Sequence, residues 1–142
     1  MTAVIYDKFA LIDSSAVIAL TTPTDQFHEF AKEFFEQDPG FVWFTVNTTA
    51  HETFTRIRYD SGLQDALAQF DFLRTSRFRL LQFDSQDEMN ARALLAKYDD
   101  QRFSFHDALC AVVMLRSGIL NIFLVDSDFS TLGFVVLPGW TV

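Results

Sequence analysis

A chain of 142 residues fits one domain, spanning 1–142, with enough length for a single substantial core. Its composition, 49% hydrophobic and 21% charged, excludes a disordered polymer, and no apolar stretch approaches the ~20 residues that span a bilayer. A formal net charge of −8 argues against general affinity for polyanions, although acids that hold a cation would reverse the field locally.

The first strand signal is Phe9–Ile12, a short apolar run that stops at Asp13. Ser14-Ser15 and an apolar helix follow, so Asp13 is placed to act as an N-cap. Phe27, Phe30, Ala31, Phe34 and Phe35 then repeat at the spacing of an amphipathic helix. The turn signal Gln37-Asp38-Pro39-Gly40 leads into a second strand, Phe41–Thr45. Thr49…Glu52 has the form of a capping box, and Leu63, Ala66, Leu67 and Phe70 mark a further helix.

Phe78–Phe83 reads as a third strand, and Ser85…Glu88 as another capping box. A third box, Ser104…Asp107, opens a segment, Ala108 to Leu115, that is apolar on all sides and should be the most deeply buried helix. Two more apolar runs, Ile122–Val125 and Phe134–Leu137, complete the strands. Strands alternating with helices, with no linker or repeat between them, predict an α/β three-layer sandwich. Its central, mostly parallel sheet would have four to five strands, with helices on both faces.

Seventeen phenylalanines mostly recur at helix or strand spacing and read as core filling. Phe27, Phe30, Phe34 and Phe35 crowd one helix, which either packs on the sheet or leaves rings for a protein partner. Cys110 is the lone cysteine, inside an apolar helical run, so it predicts an inert buried thiol and no intrachain disulfide. Met1 to Asp7 lacks the basic start and long apolar middle of a signal peptide, so a cytoplasmic location is expected.

Four acids, Asp13, Glu52, Asp107 and Asp126, stand where an apolar run gives way to a turn or a helix start. In a parallel sheet the carboxyl ends of the strands share one edge, where ligands bind. Carboxylates gathered there would repel one another unless a divalent cation lay between them. Each acid taken singly also reads as an ordinary helix cap; their joint occurrence points to a metal site. Asp128 competes with Asp126, which is favoured because it directly follows the strand. Arg56 lies one helical turn after Glu52, at the spacing of an i, i+4 ion pair, and is otherwise placed to reach phosphate. With Arg58, Arg74, Arg77 and Arg79 it forms the local excess of positive charge. His51 and His106 each adjoin a proposed ligand, but neighbouring helix residues point about 100° apart, so neither is expected in the ligand set.

Leu11-Ile12-Asp13-Ser14-Ser15-Ala16 resembles the opening of a PIN-domain protein. Asn47-Thr48-Thr49-Ala50-His51-Glu52-Thr53 with Arg56 is similar to that family's second acidic motif. Phe103-Ser104-Phe105-His106-Asp107-Ala108 and Asp126-Ser127-Asp128-Phe129 resemble the third and fourth. The likeness runs in order over nearly the whole chain and is strongest to the toxin ribonucleases of bacterial toxin–antitoxin pairs. It implies a PIN-like fold and a metal-dependent endoribonuclease. In that reading Asp13, Glu52, Asp107 and Asp126 or Asp128 hold Mg2+ or Mn2+, partly through water, for in-line attack on phosphorus. Ser104 would hydrogen-bond in the same pocket. RNA as substrate, an antitoxin partner and a homodimer follow from the same resemblance. Leu124 departs from it, standing where the family often has Thr or Ser.

Two other phosphate-handling folds fit poorly. A receiver domain needs an acidic pair after the first strand and a late lysine, whereas the lysines here are Lys8, Lys32 and Lys97. The dehalogenase-type phosphotransferases open with Asp-x-Asp, and Asp126-Ser127-Asp128 comes too late. The remaining alternative is a noncatalytic binding module that keeps the acidic pocket and acts through protein or RNA contacts.

Overall fold

The computed structural model describes residues 8–125 and 132–137. Five strands, β1 (Phe9–Ile12), β2 (Val42–Val46), β3 (Phe78–Leu81), β4 (Asn121–Phe123) and β5 (Val135–Leu137), form one sheet in the order β3-β2-β1-β4-β5. Every neighbouring pair is parallel. β1 is therefore central, with Leu11 paired to Phe44 on one side and to Ile122 on the other. All strands end at the same edge, and Asp13 follows β1 directly; its N–H extends the ladder to Phe123 O at 2.9 Å.

Alternation along the strands sends successive residues to opposite faces, and each face has its own core. Ala10, Ile12, Trp43, Phe78 and Phe123 face α1 (Ser14–Thr21), α2 (His28–Glu36) and the buried side chains Ala50 of α3 (Thr49–Ser61) and Leu73 of α4 (Leu63–Leu73). Leu11, Phe44, Val46 and Ile122 face Cys110, Ala111, Val113 and Met114 of α6 (Phe105–Ser117). Against α6 lies α5 (Ser85–Lys97), through Ala91, Leu109 and Val112. The three expected layers are present, and α6 is buried along most of its length, as its all-round apolar sequence requires.

Phe35 is the hub of the first core. Its ring centroid lies 5.3 Å from that of Trp43, 5.9 Å from Phe72 and Phe78, and 6.4 Å from Phe123. The Arg77 guanidinium caps the outer face, 4.1 Å from the ring centroid. Phe27 and Phe34 pack partly buried against this cluster, so the crowded rings of α2 mainly serve the sheet; Phe30 alone of the four is exposed. Between α3 and α4 the buried Gln69 donates to Ala50 O at 2.9 Å and accepts from Thr53 Oγ1 at 2.8 Å, so its burial leaves both groups satisfied.

Several boundaries and caps differ from expectation. β3 is an edge strand with Arg79 and Leu80 exposed, and it ends at Leu81 because β2, its partner, ends at Val46. Phe41 belongs to the preceding turn, its N–H bound to Asp38 Oδ1 at 2.9 Å. The capping box of α5 begins one residue early: Asp84 and Asp87 exchange backbone-to-carboxylate bonds, both 2.9 Å, in place of Ser85 and Glu88. A carboxylate accepts more strongly than a hydroxyl, and Asp87 is further fixed by Arg116. At α3 no side chain caps the helix. Thr49 spends its hydroxyl on His106 instead of on its own helix start, so the expected Thr49…Glu52 box does not form.

Candidate active site

Asp13 is the N-cap of α1. Its Oδ2 accepts from Ser15 N at 3.0 Å and from Ser15 Oγ at 2.8 Å. The same Ser15 hydroxyl accepts from Val125 N at 3.1 Å, tying the segment after β4 to the acid after β1. Asp13 is 1% exposed, and its Oδ1 has no hydrogen-bond partner among the described residues. Burial, the largest influence, raises the Asp13 pKa. The Ser15 hydroxyl opposes it, the Asp107 charge adds to the rise, and the Ser15 amide and His106 pull weakly downward. A buried carboxylate left short of partners is the condition that a bound cation relieves.

Asp107 comes from the start of α6. The expected box forms here: Asp107 N donates to Ser104 Oγ at 3.0 Å, and Ser104 N donates to Asp107 Oδ2 at 2.9 Å. The box fixes the carboxylate where the helix dipole favours an anion. Asp13 and Asp107 line a small polar cavity of about 200 Å³ together with Ser14, Ser15, Ile18, Arg56 and Ser104. Four of the expected site residues, Asp13, Ser104, Asp107 and Arg56, thus converge from three separate parts of the chain.

His106 joins them against expectation. One of its ring nitrogens lies within 4.8 Å of a carboxylate oxygen from each of Asp13 and Asp107. Asp13 follows β1, and one atom each of Asp13, His106 and Asp107 lie mutually within that distance, so the angle between adjacent helix residues does not separate them. His106 is buried, with Nε2 3.0 Å from Thr49 Oγ1 and Cys110 Sγ at 3.6 to 3.9 Å from the ring nitrogens. Burial foremost, then the charges of Asp13 and Asp107, push the Cys110 thiol well above its ordinary pKa; it stays a neutral thiol. His51, in contrast, is exposed, with its ring stacked 6.5 Å from that of Phe70.

Glu52 is exposed on α3 and falls outside the three-residue cluster. The expected Glu52–Arg56 pair is replaced by Arg56 with Asp60, 3.7 Å apart and both largely solvated. Arg56 had an acid one turn away on either side; its pairing forward leaves Glu52 unpaired by it. Asp126 and Asp128 lie outside the described residues. The donor set that is present, oxygen-rich with a buried unpartnered oxygen, suits a divalent cation.

A wholly parallel α/β sheet with a buried acid after its central strand, and a second acid brought alongside by a helix start, defines a class of proteins with a cation-suited pocket at the sheet's carboxyl edge. Within that class the chain belongs to the PIN domain family, which matches residues 10–135. It is 32% identical over 124 residues to the 23S rRNA-specific endonuclease VapC20 of Mycobacterium tuberculosis, covering 87% of this chain and 94% of that protein. The crystal structure of that sarcin-ricin-loop-cleaving toxin is similar with a TM-score of 0.83 at 30% identity, over 89% of this chain and 96% of the other. More distant structures share the fold. VapBC2 from Rickettsia felis, solved with a promoter DNA fragment, has a TM-score of 0.64 at 10% identity, over 90% of this chain and 96% of that one. FitAcB from Neisseria gonorrhoeae has 0.64 at 15%, over 89% and 95%. Among the described residues no helix is long and apolar enough to cross a membrane.

Proposed function

We propose that the chain is a metal-dependent endoribonuclease and the toxin of a toxin–antitoxin pair. The observation that carries the proposal is the buried Asp13 carboxylate, one oxygen unpartnered, within 4.8 Å of Asp107 over a cavity that Arg56 also lines. Relatedness to an rRNA endonuclease over 87% of the chain supports RNA as the substrate. Asp13 and Asp107 would hold Mg2+ or Mn2+ directly, Glu52 through water, and Asp126, next in sequence after the anchored Val125, would complete the set, with Asp128 as its alternative. When bound, the cation would supply an acidified water and neutralise charge at phosphorus.

The chain's own groups do the rest. Ser15 holds the Asp13 carboxylate in one orientation, and the Ser104 box does the same for Asp107. Arg56, half free of its exposed partner Asp60, would take a phosphate oxygen of the RNA backbone. Ser104, exposed at the rim, would hydrogen-bond to the same strand. Net charge of −8 makes nonspecific RNA binding weak, so target choice would come from the shape of the RNA around the pocket that Arg56 lines. An antitoxin and a second copy of the chain are the proposed protein partners, and the cytoplasm the proposed location.

The test is cleavage of RNA by the purified chain with Mg2+ or Mn2+ against chelator, beside Asp107→Asn. Loss of cleavage of ~100-fold or more in a variant whose circular dichroism is unchanged is expected. Cleavage that persists in the variant, or in chelator, would overturn the proposal. A cation-dependent rise in melting point without cleavage would leave the noncatalytic binding module.

A further inference from the structure

We propose that His106 is an imidazole ligand of this centre, making Asp13, His106 and Asp107 a mixed nitrogen–oxygen set that favours Mn2+ over Mg2+. The inference rests on the metal-centre reading above and deepens it. Three independent observations carry it. A ring nitrogen of His106 lies within 4.8 Å of an oxygen of each acid, the separation that ligands of one ion adopt. Asp13 Oδ1 is buried without a partner among the described residues, so the cluster has an unsatisfied oxygen as well as a nearby nitrogen. Finally, the ring is held as a metal-bound imidazole is held: Thr49 Oγ1 sits 3.0 Å from Nε2. A hydroxyl at one ring nitrogen orients the imidazole, and where it accepts from Nε2–H the lone pair lies on Nδ1.

The chemistry follows from donor type. Mg2+ takes oxygen ligands in near-ideal octahedral geometry and gains little from imidazole, whereas Mn2+, a softer transition ion, accepts a nitrogen donor beside carboxylates more readily. Cys110, with its sulfur 3.6 and 3.9 Å from the two ring nitrogens, is not part of the three-residue group. The opposing account is a core histidine whose polar needs Thr49 meets and whose closeness to the acids has no role. The two accounts differ in measurable ways.

The decisive measurement is the Mn2+-loaded full chain examined by electron spin-echo spectroscopy for nitrogen coupled to the metal, with natural and with 15N-labelled histidine. Coupling that changes with the histidine label and vanishes in His106→Gln is expected. In parallel, melting curves against Mn2+ alone and Mg2+ alone should show the Mn2+ preference of the wild type falling about tenfold in His106→Gln, with Mg2+ affinity less affected. Mn2+ that binds the wild type without histidine coupling would overturn this inference and leave the metal-centre reading standing. A melting point unmoved by either ion would sink both. The refuting result, absence of histidine coupling, needs only the wild-type chain, and His106→Asn serves beside His106→Gln should one variant fail to fold.

Discussion

Replacing Asp13 by Asn should make the metal-free protein more stable. The carboxylate is 1% exposed and sits within 4.8 Å of a second acid. Two unit charges at that separation repel by roughly 3.5 kcal/mol at an effective dielectric of about 20, and the partial solvent access of Asp107 cuts this to about 1.5–2 kcal/mol. Removing the charge also removes its desolvation cost, several kcal/mol for a buried ion. Against this, Asn leaves an N–H2 unpartnered where Oδ1 now lies, about 1–3 kcal/mol, and weakens the two bonds from Ser15 by about 1 kcal/mol together. Asn is as good an N-cap as Asp, so α1 itself is not at risk. The net gain is on the order of 1–2 kcal/mol, or about 3–6 °C for a chain of this size.

The pH dependence has a definite sign. The Asp13 pKa is raised on folding, so its penalty is present above the folded value and disappears as pH falls below the unfolded one. Thermal melts in chelator from pH 4 to 8 should therefore show the stability advantage of the variant shrinking on acidification. Adding millimolar Mn2+ should reverse the order, since a ligand at 100 times its Kd stabilises the wild type by about 2.7 kcal/mol. A variant that melts below the wild type in chelator at neutral pH would show that the charge is already compensated, and would refute the reasoning.

Arg116→Met should cost about 2–3 kcal/mol, because it breaks two 2.9 Å bonds to the buried Asp87 and one of 2.7 Å to Gln82 O; chemical denaturation measures it. The Arg116 hydrogen bonds hold the Asp87 pKa below its ordinary value. Their stabilisation is present above about pH 4 and is lost as pH falls through the folded pKa, so the variant's acid limb should be flatter. Phe35→Ala should lose about 3–5 kcal/mol and leave Arg77 without its ring, read as a large fall in denaturation midpoint with the slope unchanged. Gly62→Ala should cost roughly 1–3 kcal/mol although an added Cβ would meet nothing within 4 Å, because φ +97° and ψ 173° between α3 and α4 are open essentially to glycine alone. Equal melting of Gly62→Ala and wild type would refute that backbone argument.

The sheet was legible because its strands are short and largely apolar, although Arg79 interrupts β3 and Asn121 opens β4, and because most crossover helices carry apolar residues at helical spacing. The cap at Asp13 and the Ser104–Asp107 box were legible too, since each depends on residues two or three apart. What escaped were contacts made over long separations. Thr49 and His106 are 57 residues apart, and nothing local says that a hydroxyl at a helix start will turn away from its own backbone. Arg116 and Asp87 are 29 apart and carry no local signal either, although Asp87 also belongs to the local box with Asp84 that caps α5. Neither helix geometry nor local ligand spacing points to His106; the fold brings it to Asp13, 93 positions away. A polar ring at the second position of an otherwise apolar helix was the available hint.

The bond between Ser15 Oγ and Val125 N joins residues 110 positions apart, and β1 finds its β4 neighbour only across a similar interval, Leu11 pairing with Ile122. The chain as far as Val125 must therefore leave the ribosome before the Ser15 hydroxyl that supports Asp13 has its own anchor. A truncated product, or a nascent chain still short of that point, would carry both acids without holding them in register. The pocket and the pairing of β1 with β4 thus depend on the same late segment of the sequence.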